Sequence, residues 1–334
     1  MHHPTNKITV DPEAARTAAL RAIQRERKAK QTAYLVAALL VVVILAIIGI
    51  FYYQAYVAPF RRPIITVGDT RIRMDYFLMR TRLAGADPMN IMQQLTNELL
   101  IRQGAPQFGI SVTTQDVDRE LRRIASGGDS SMSESAFKEW YRQELEHKRV
   151  SDARYREVVQ SSMLAVRLQE YLAERVSTVV PQVRLSAIFV NTEAEARKVV
   201  ERWQTGEDFA KLARELSTDA ASQANGGDLG WMPRGVAIFD NAAFSLEVGK
   251  ISQPLAQVTD ASSPPSFYYV LLVTEKAEAR QVDEQYLPVL RSRALDDWLN
   301  TEVSRHEVTW NFNSEIYAWI NYQLAKSKSS GSQK

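Results

Sequence analysis

Residues 33–51 read AYLVAALLVVVILAIIGIF, an apolar run without a charged side chain. A helix needs about 20 such residues to cross the hydrocarbon core of a bilayer. A helix inside a soluble core keeps a polar stripe, which this run lacks. It is read as a spanning helix over 33–54. The run exceeds the apolar region of a cleaved signal, and the QAYVAPF that follows puts Tyr56 where a signal peptidase needs a small residue. A retained anchor is therefore expected. Upstream, RAIQRERKAK sets Arg21, Arg25, Arg27, Lys28 and Lys30 against Glu26 alone, whereas only Arg61 and Arg62 follow closely behind the span. Positive residues stay on the cytoplasmic side. A cytoplasmic tail (1–32), a single pass through the cell membrane and an extracytoplasmic bulk from about residue 55 follow.

The composition excludes several chemistries. Basic and acidic residues nearly balance, 41 against 39, with no basic footprint for a nucleic acid. With no cysteine in the chain, disulfides, thiolate catalysis and cysteine-ligated metals are ruled out. The four histidines, His2, His3, His147 and His306, are scattered and read as surface residues. No nucleophile has a base nearby in sequence, and the glycines lack the lysine of a phosphate loop. No metal and no cofactor is expected.

Beyond the span, VGDT marks a hairpin-like turn leading into a helix from about Met74. Ile91, Leu95 and Leu99 repeat at four-residue spacing, and Thr113 with Asp116 forms a capping box ahead of Val117, Leu121 and Ile124. The Ser/Gly-rich segment 126–135 breaks the helical pattern, which resumes from Ala136 to about Val176. At Val183 the period becomes alternating: Val183, Leu185, Ala187 and Phe189 share one strand face, with Arg184 and Ser186 opposite. Thr192 and Glu195 cap one helix, and Phe209, Leu212, Ala213 and Leu216 stripe another. GGDLGWMPRG (226–235) comes next. Asp240 is read as the cap of a third helix, NAAFSLEVG, and KISQPLAQV and FYYVLLVTE as two strands. This order describes a compact α+β domain. Helix returns from Gln281, with Leu287, Leu290, Ala294 and Trp298 on one face. The aromatic end (Trp310, Phe312, Tyr317, Trp319, Tyr322) is read as packing on the helical part, with client binding or a place on the membrane surface as alternatives, ahead of a disordered polar tail (326–334).

Taken together, DFAKLARELSTDAASQANGGDLGWMPRG, FDNAAFSLEVGKISQPL and YYVLLVTE resemble the parvulin family of peptidyl-prolyl isomerases, over roughly Val183 to Glu275. QLTNELLIRQGAPQFGISVTTQDVD is similar to the extracytoplasmic foldases of the SurA and PrsA type. The resemblance implies an α+β chain in which a mostly helical, SurA-N-like chaperone lobe (55–180, joined by 277–325) surrounds an inserted parvulin domain (181–276) with a small antiparallel sheet. It implies rotation about X-Pro bonds, whose barrier is about 18–20 kcal/mol. It also implies a ring pocket of Leu229, Met232 and Phe239 beside Ala187 and Phe189, with Asp219 and Tyr269 as the catalytic positions. Asp219 has a rival reading as the cap of the following turn. Gly226, Gly227 and Gly230 would supply positive φ beside the pocket.

Parvulins carry one histidine on the first strand and one on the last; here Ala187 and Tyr269 stand in those places. Shrinking one partner and enlarging the other conserves volume. The Tyr269 ring is expected to fill the space above Ala187, its hydroxyl directed toward Asp219. VAIFD is also shorter than the family's usual segment and lacks its methionine. Two functions stay open. One is a foldase that receives unfolded or nascent exported proteins at the lipid bilayer, near translocation machinery or a membrane complex, and isomerises their X-Pro bonds. The other is a catalytically inactive holdase or scaffold subunit. No nucleic-acid partner is expected.

Overall fold

The computed structural model describes residues 34–35, 38–128, 132–258 and 264–329. The expected cytoplasmic tail, residues 33, 36 and 37 of the expected span and residues 330–334 lie outside them. Helix α1 (Ala38–Arg61) is long and apolar enough to cross a membrane, and its apolar window has no part buried in the protein. Near its end the bonding shifts to a π-turn over Tyr53–Val57, where the Ala58 N–H reaches back to the Tyr53 carbonyl. Pro59 follows directly. Proline has no N–H for the carbonyl four residues back, so the ladder rearranges around it.

The chain falls into two compact units, residues 1–92 with 309–334, and residues 93–308. In the first, β1 (Pro63–Val67) and β2 (Thr70–Arg73) form the expected hairpin, turned at Gly68 with φ 55°. It leads into α2 (Met74–Ala84), which starts where the sequence placed it. Ile64, Ile65, Val67 and Phe77 are fully buried. The stretch Val308–Trp310 forms a third strand beside β1, where periodicity gave no strand signal. Asn311 extends that edge, its backbone N–H donating to the Ile64 carbonyl at 2.9 Å. The C-terminal helix (Ser314–Ser329) buries Ile320 and sets Trp319 edge-on to Phe60 at 5.2 Å. Residues 326–329, expected in a disordered tail, complete this helix.

The second unit contains most of α3 (Pro88–Gly104), then α4 (Thr114–Ser126), α5 (Glu134–Lys148) and α6 (Asp152–Glu174). Thr113 and Asp116 make the expected capping box of α4. Asp116 also accepts from Arg167 of α6 at 3.0 Å, which ties the two helices together. More than one helix was expected between Ala136 and about Val176, with no break point assigned. Arg149, at φ 50°, closes α5 in a left-handed cap before α6 begins.

Next comes a four-stranded antiparallel sheet, ordered β4-β3-β6-β5: β3 (Val179–Val190), β4 (Asp228–Pro233), β5 (Leu255–Gln257) and β6 (Phe267–Gln281). Between its strands lie α7 (Glu193–Gln204), α8 (Phe209–Leu216), α9 (Ala220–Ala224) and α10 (Asp240–Ser245). The two long strands run past the sheet as a ribbon in which Val179 pairs with Gln281 and Val180 with Arg280. The boundaries expected at 181 and 276 therefore cut through paired strands. Helix α11 (Leu287–Arg305) begins after that ribbon rather than at Gln281 and packs along α6. Trp298 lies 6.3 Å from the Phe108 ring and closes on Gly104, where any Cβ would collide with the indole.

Candidate functional site

Successive side chains of β3 point to opposite faces, so its two faces serve different layers. Ile188 and Val190 join Val270 of β6 beneath Val199, Phe209, Leu212 and Ala213 of α7 and α8, a closed apolar core. On the other face Val183, Leu185 and Ala187 lie with Tyr269 and Leu271 against Phe239 and Ala243. Around that nucleus Phe189, Leu229, Met232, Phe244 and Phe267 are only half-buried. The result is an apolar patch rimmed by aromatic and thioether side chains, whereas the core on the opposite face lies beneath α7 and α8.

Four rings form its centre. Tyr269 lies 5.8 Å from Phe239, 6.2 Å from Phe189 and 6.2 Å from Phe267, and Phe189 meets Phe267 edge-on at 5.9 Å. Tilted and edge contacts at these separations suit the aromatic quadrupole. The fold thus gathers Ala187, Phe189, Leu229, Met232, Phe239 and Tyr269 into one cluster. Ala187 has no accessible surface, so it forms the floor and a ligand can meet only the residues above it. In the strand register Ala187 faces Leu271 and Tyr269 faces Phe189, so Tyr269 stands diagonally across from Ala187.

The expected bond between Tyr269 and Asp219 is not formed. The tyrosine hydroxyl has no hydrogen-bond partner among the described residues, and burial alone pushes its pKa up. Asp219 is the N-cap of α9: its carboxylate accepts from the Ser222 N–H at 2.8 Å. Ser222, through its hydroxyl and its backbone N–H, holds that carboxylate below the usual aspartate range. The first turn of a helix leaves N–H groups without intrahelical partners, and they claim the nearest side-chain oxygen. The segment before the cap is pinned to the cluster, since Thr218 donates its N–H to the Phe189 carbonyl at 2.8 Å and Ser217 accepts from the Phe189 N–H at 3.2 Å.

Gly227, at φ 82°, accepts at its carbonyl from the Ala187 N–H at 2.9 Å. A Cβ there would sit 2.9 Å from the Ala187 carbonyl oxygen and 3.0 Å from the Ala213 methyl, so only glycine lets the turn lie this close to β3. Asp228 fixes the next turn, accepting from the Gly230 N–H at 2.8 Å and pairing with Arg184 at 3.1 Å.

Two supporting residues were not foreseen in these roles. Phe239, not Asp240, is the N-cap of α10. Asp240 occupies the first helical position, and its carboxylate turns back to accept from the Gly235 N–H and, at 3.2 Å, from the Ala237 N–H. From α11, Arg293 donates to the Gly235 carbonyl at 2.6 Å, 58 residues away in sequence. Together they brace the loop that delivers Phe239 to the patch. A cavity of about 730 Å³ lies beside it, lined in part by Val180, Pro181, Ile238, Leu290 and Arg293. His147 is exposed on α5, whereas His306, expected at the surface, is half-buried with Nδ1 2.9 Å from the Glu302 carbonyl. Among the described residues no group of three or more His, Asp or Glu is placed to hold a metal.

The rotamase family profile, described as a PPIC-type PPIase domain, matches residues 188–261, which leaves Ala187 and Tyr269 just outside. The foldase protein PrsA of Geobacillus kaustophilus is 32% identical over 183 residues, covering 52% of this chain and 59% of the relative. The foldase protein PrsA of Geobacillus sp. strain WCH70 is 40% identical over 106 residues, covering 31% and 36%. The chain thus spans between about a third and three fifths of the length of these curated relatives. Among solved structures, the isomerase PrsA of Bacillus cereus aligns with a TM-score of 0.36 at 19% identity, covering 80% of this chain and 92% of that one. The parvulin domain of PpiD from E. coli aligns with a TM-score of 0.25 at 29% identity, covering 29% and 90%.

Proposed function

We propose that this chain, which carries a PPIC-type parvulin domain, is a membrane-anchored foldase that holds unfolded exported chains and isomerises their X-Pro bonds. The observation that carries the reading is the half-buried patch of Phe189, Leu229, Met232, Phe267 and Phe244 with Tyr269 and Phe239, on the face of the sheet away from α7 and α8. The names of the PrsA relatives support the foldase role. The positive-inside bias at residues 21–30 supports an N-terminus in the cytoplasm, with the lobe and the parvulin domain outside. Clients are nascent or unfolded exported proteins, met near the translocation machinery because α1 tethers the chain to the bilayer.

The chemistry needs no proton transfer. Amide conjugation sets the barrier, and the planar amide carries more charge separation than the twisted one. An apolar patch that grips the prolyl ring and strips water from the amide therefore favours the twisted form over either planar isomer. Phe239, Leu229 and Met232 hold the ring, and Phe189 and Tyr269 wall it in. Asp219 and Gly227 act through position, the first by fixing α9 behind Phe189 and the second by bringing the glycine turn onto β3.

A holdase or scaffold without turnover is the second reading. It is favoured by the absence of an imidazole at 187 and 269 and by the unbonded Tyr269 hydroxyl. Refolding of a protein whose slow phase is proline-limited, uncatalysed at about 10–100 s, separates the two. The foldase shortens that phase at substoichiometric amounts. A holdase suppresses aggregation and leaves the phase unchanged.

A further inference from the structure

The end of α1 carries a feature that isomerisation does not use. A cavity of about 530 Å³ opens there, walled by Pro59, Pro63, Met74, Ile316 and Trp319. Its volume lies within the roughly 300–1,000 Å³ of small-molecule sites. Two charged residues of opposite sign, Arg62 and Glu315, also line it, and both are exposed. Neither has a side-chain partner among the described residues, and the same holds for Arg61. Many other described arginines are paired with a carboxylate, as Arg184 is with Asp228 at 3.1 Å and Glu275 at 3.0 Å. Basic residues are also disfavoured on the outer side of a span, so a pair directly behind this one calls for an anionic neighbour.

The position of the cavity says what that neighbour is. Tyr52, Tyr53 and Tyr56, all exposed on α1, are the residues that mark a membrane–water boundary. At about 1.5 Å per residue, Pro59 to Arg62 stand one to two turns beyond them, in the headgroup layer. Phe60 and Trp319 meet at 5.2 Å there, and Tyr322 of the same C-terminal helix is exposed. An apolar cavity at this depth, with one cation and one anion that do not pair with each other, has the chemistry of a zwitterionic lipid.

We propose that this cavity binds one phosphatidylethanolamine molecule of the bilayer, an acyl chain against Met74, Ile316 and Trp319, the phosphate at Arg62 and the ammonium at Glu315. The site rests on the membrane anchoring proposed above. It would fix the C-terminal helix to the bilayer surface and set the attitude of the strands that follow α1.

The test uses the full-length chain reconstituted in vesicles of phosphatidylethanolamine, phosphatidylcholine and phosphatidylglycerol, extracted in mild detergent and weighed by native mass spectrometry. The wild type is expected to retain one phosphatidylethanolamine. Ile316→Trp, which fills the cavity, loses it. Arg62→Gln, at an exposed position that the fold does not need, lowers occupancy roughly tenfold through loss of one charge-assisted contact. A wild type that retains no lipid, that retains phosphatidylglycerol instead, or that matches both variants overturns the proposal. A carbonate wash separates the failures. A chain that stays with the vesicles yet carries no lipid overturns this site and leaves the anchor standing, whereas a chain that washes off overturns both. Neither result touches isomerisation, which the refolding assay reads independently.

Discussion

At residue 269 a buried phenol ring packs on Phe189, Phe239 and Phe267, while its hydroxyl has no partner among the described residues. Tyr269→Phe is therefore expected to leave both the thermal midpoint and the isomerisation rate essentially unchanged, and Tyr269→Ala to cost about 3–5 kcal/mol by analogy with other large aromatic truncations. A large loss of rate in the Phe variant would return the hydroxyl to the chemistry. Asp219 calls for a paired comparison. Asparagine caps a helix as well as aspartate does, and alanine costs about 0.5–2 kcal/mol. Asp219→Asn is thus expected to keep both fold and turnover, and Asp219→Ala to lose stability. Ser222 depresses the carboxylate pKa, so the stability that ionisation adds is complete above the ordinary value of about 3.9 and disappears as pH falls through the lower folded value. Thermal unfolding of wild type and Asp219→Ala should accordingly converge in acid. A gap that ignores pH, or an Asn variant that loses its rate while staying folded, would restore a catalytic carboxylate. Residue identities here were legible because glycine and apolar types carry their own constraints. The direction of a single carboxylate was not, since capping and catalysis ask for the same residue.

The loop between β4 and α10 is braced from two elements, by Asp240 at the start of its own helix and by Arg293 across from α11. Arg293→Ala is expected to speed amide exchange over residues 235–239 and to raise KM for prolyl peptides more than it lowers kcat, because Phe239 keeps its chemistry but loses its fixed placement. Arg293→Lys should restore part of the loss. Exchange identical to wild type in the Ala variant would mean that the loop holds itself. Elements with long periodic faces were readable from sequence: β3 from its alternation, α4 and α7 from their capping boxes, α8 from its stripe. Three were not. Val308–Trp310 becomes a strand only because β1 offers it an edge. The ribbon at the base of the sheet, Val179 and Val180 against Gln281 and Arg280, is too short to show a period. Arg149 takes a left-handed φ that sequence reserves for glycine, so the break between α5 and α6 falls at a residue that gave no signal for it.

At the scale of the whole chain, a helix long and apolar enough to cross a membrane and an α+β segment flanked by helices were visible because each depends on patterns repeated over many residues, the uncharged run and the spaced glycine and apolar segments. The bracing of the site by α11 was not visible, because it joins positions 58 residues apart through one backbone carbonyl. The central claim is that an aromatic patch without imidazole lowers the barrier to prolyl rotation. Its most direct measurement is the cis–trans exchange rate of an Ala-Pro tetrapeptide, read by NMR exchange spectroscopy with the full-length wild type and with Phe239→Ala. Exchange well above the spontaneous rate with the wild type, falling most of the way back with Phe239→Ala, is the expected result. A peptide that exchanges at its spontaneous rate beside the folded wild-type chain would contradict it.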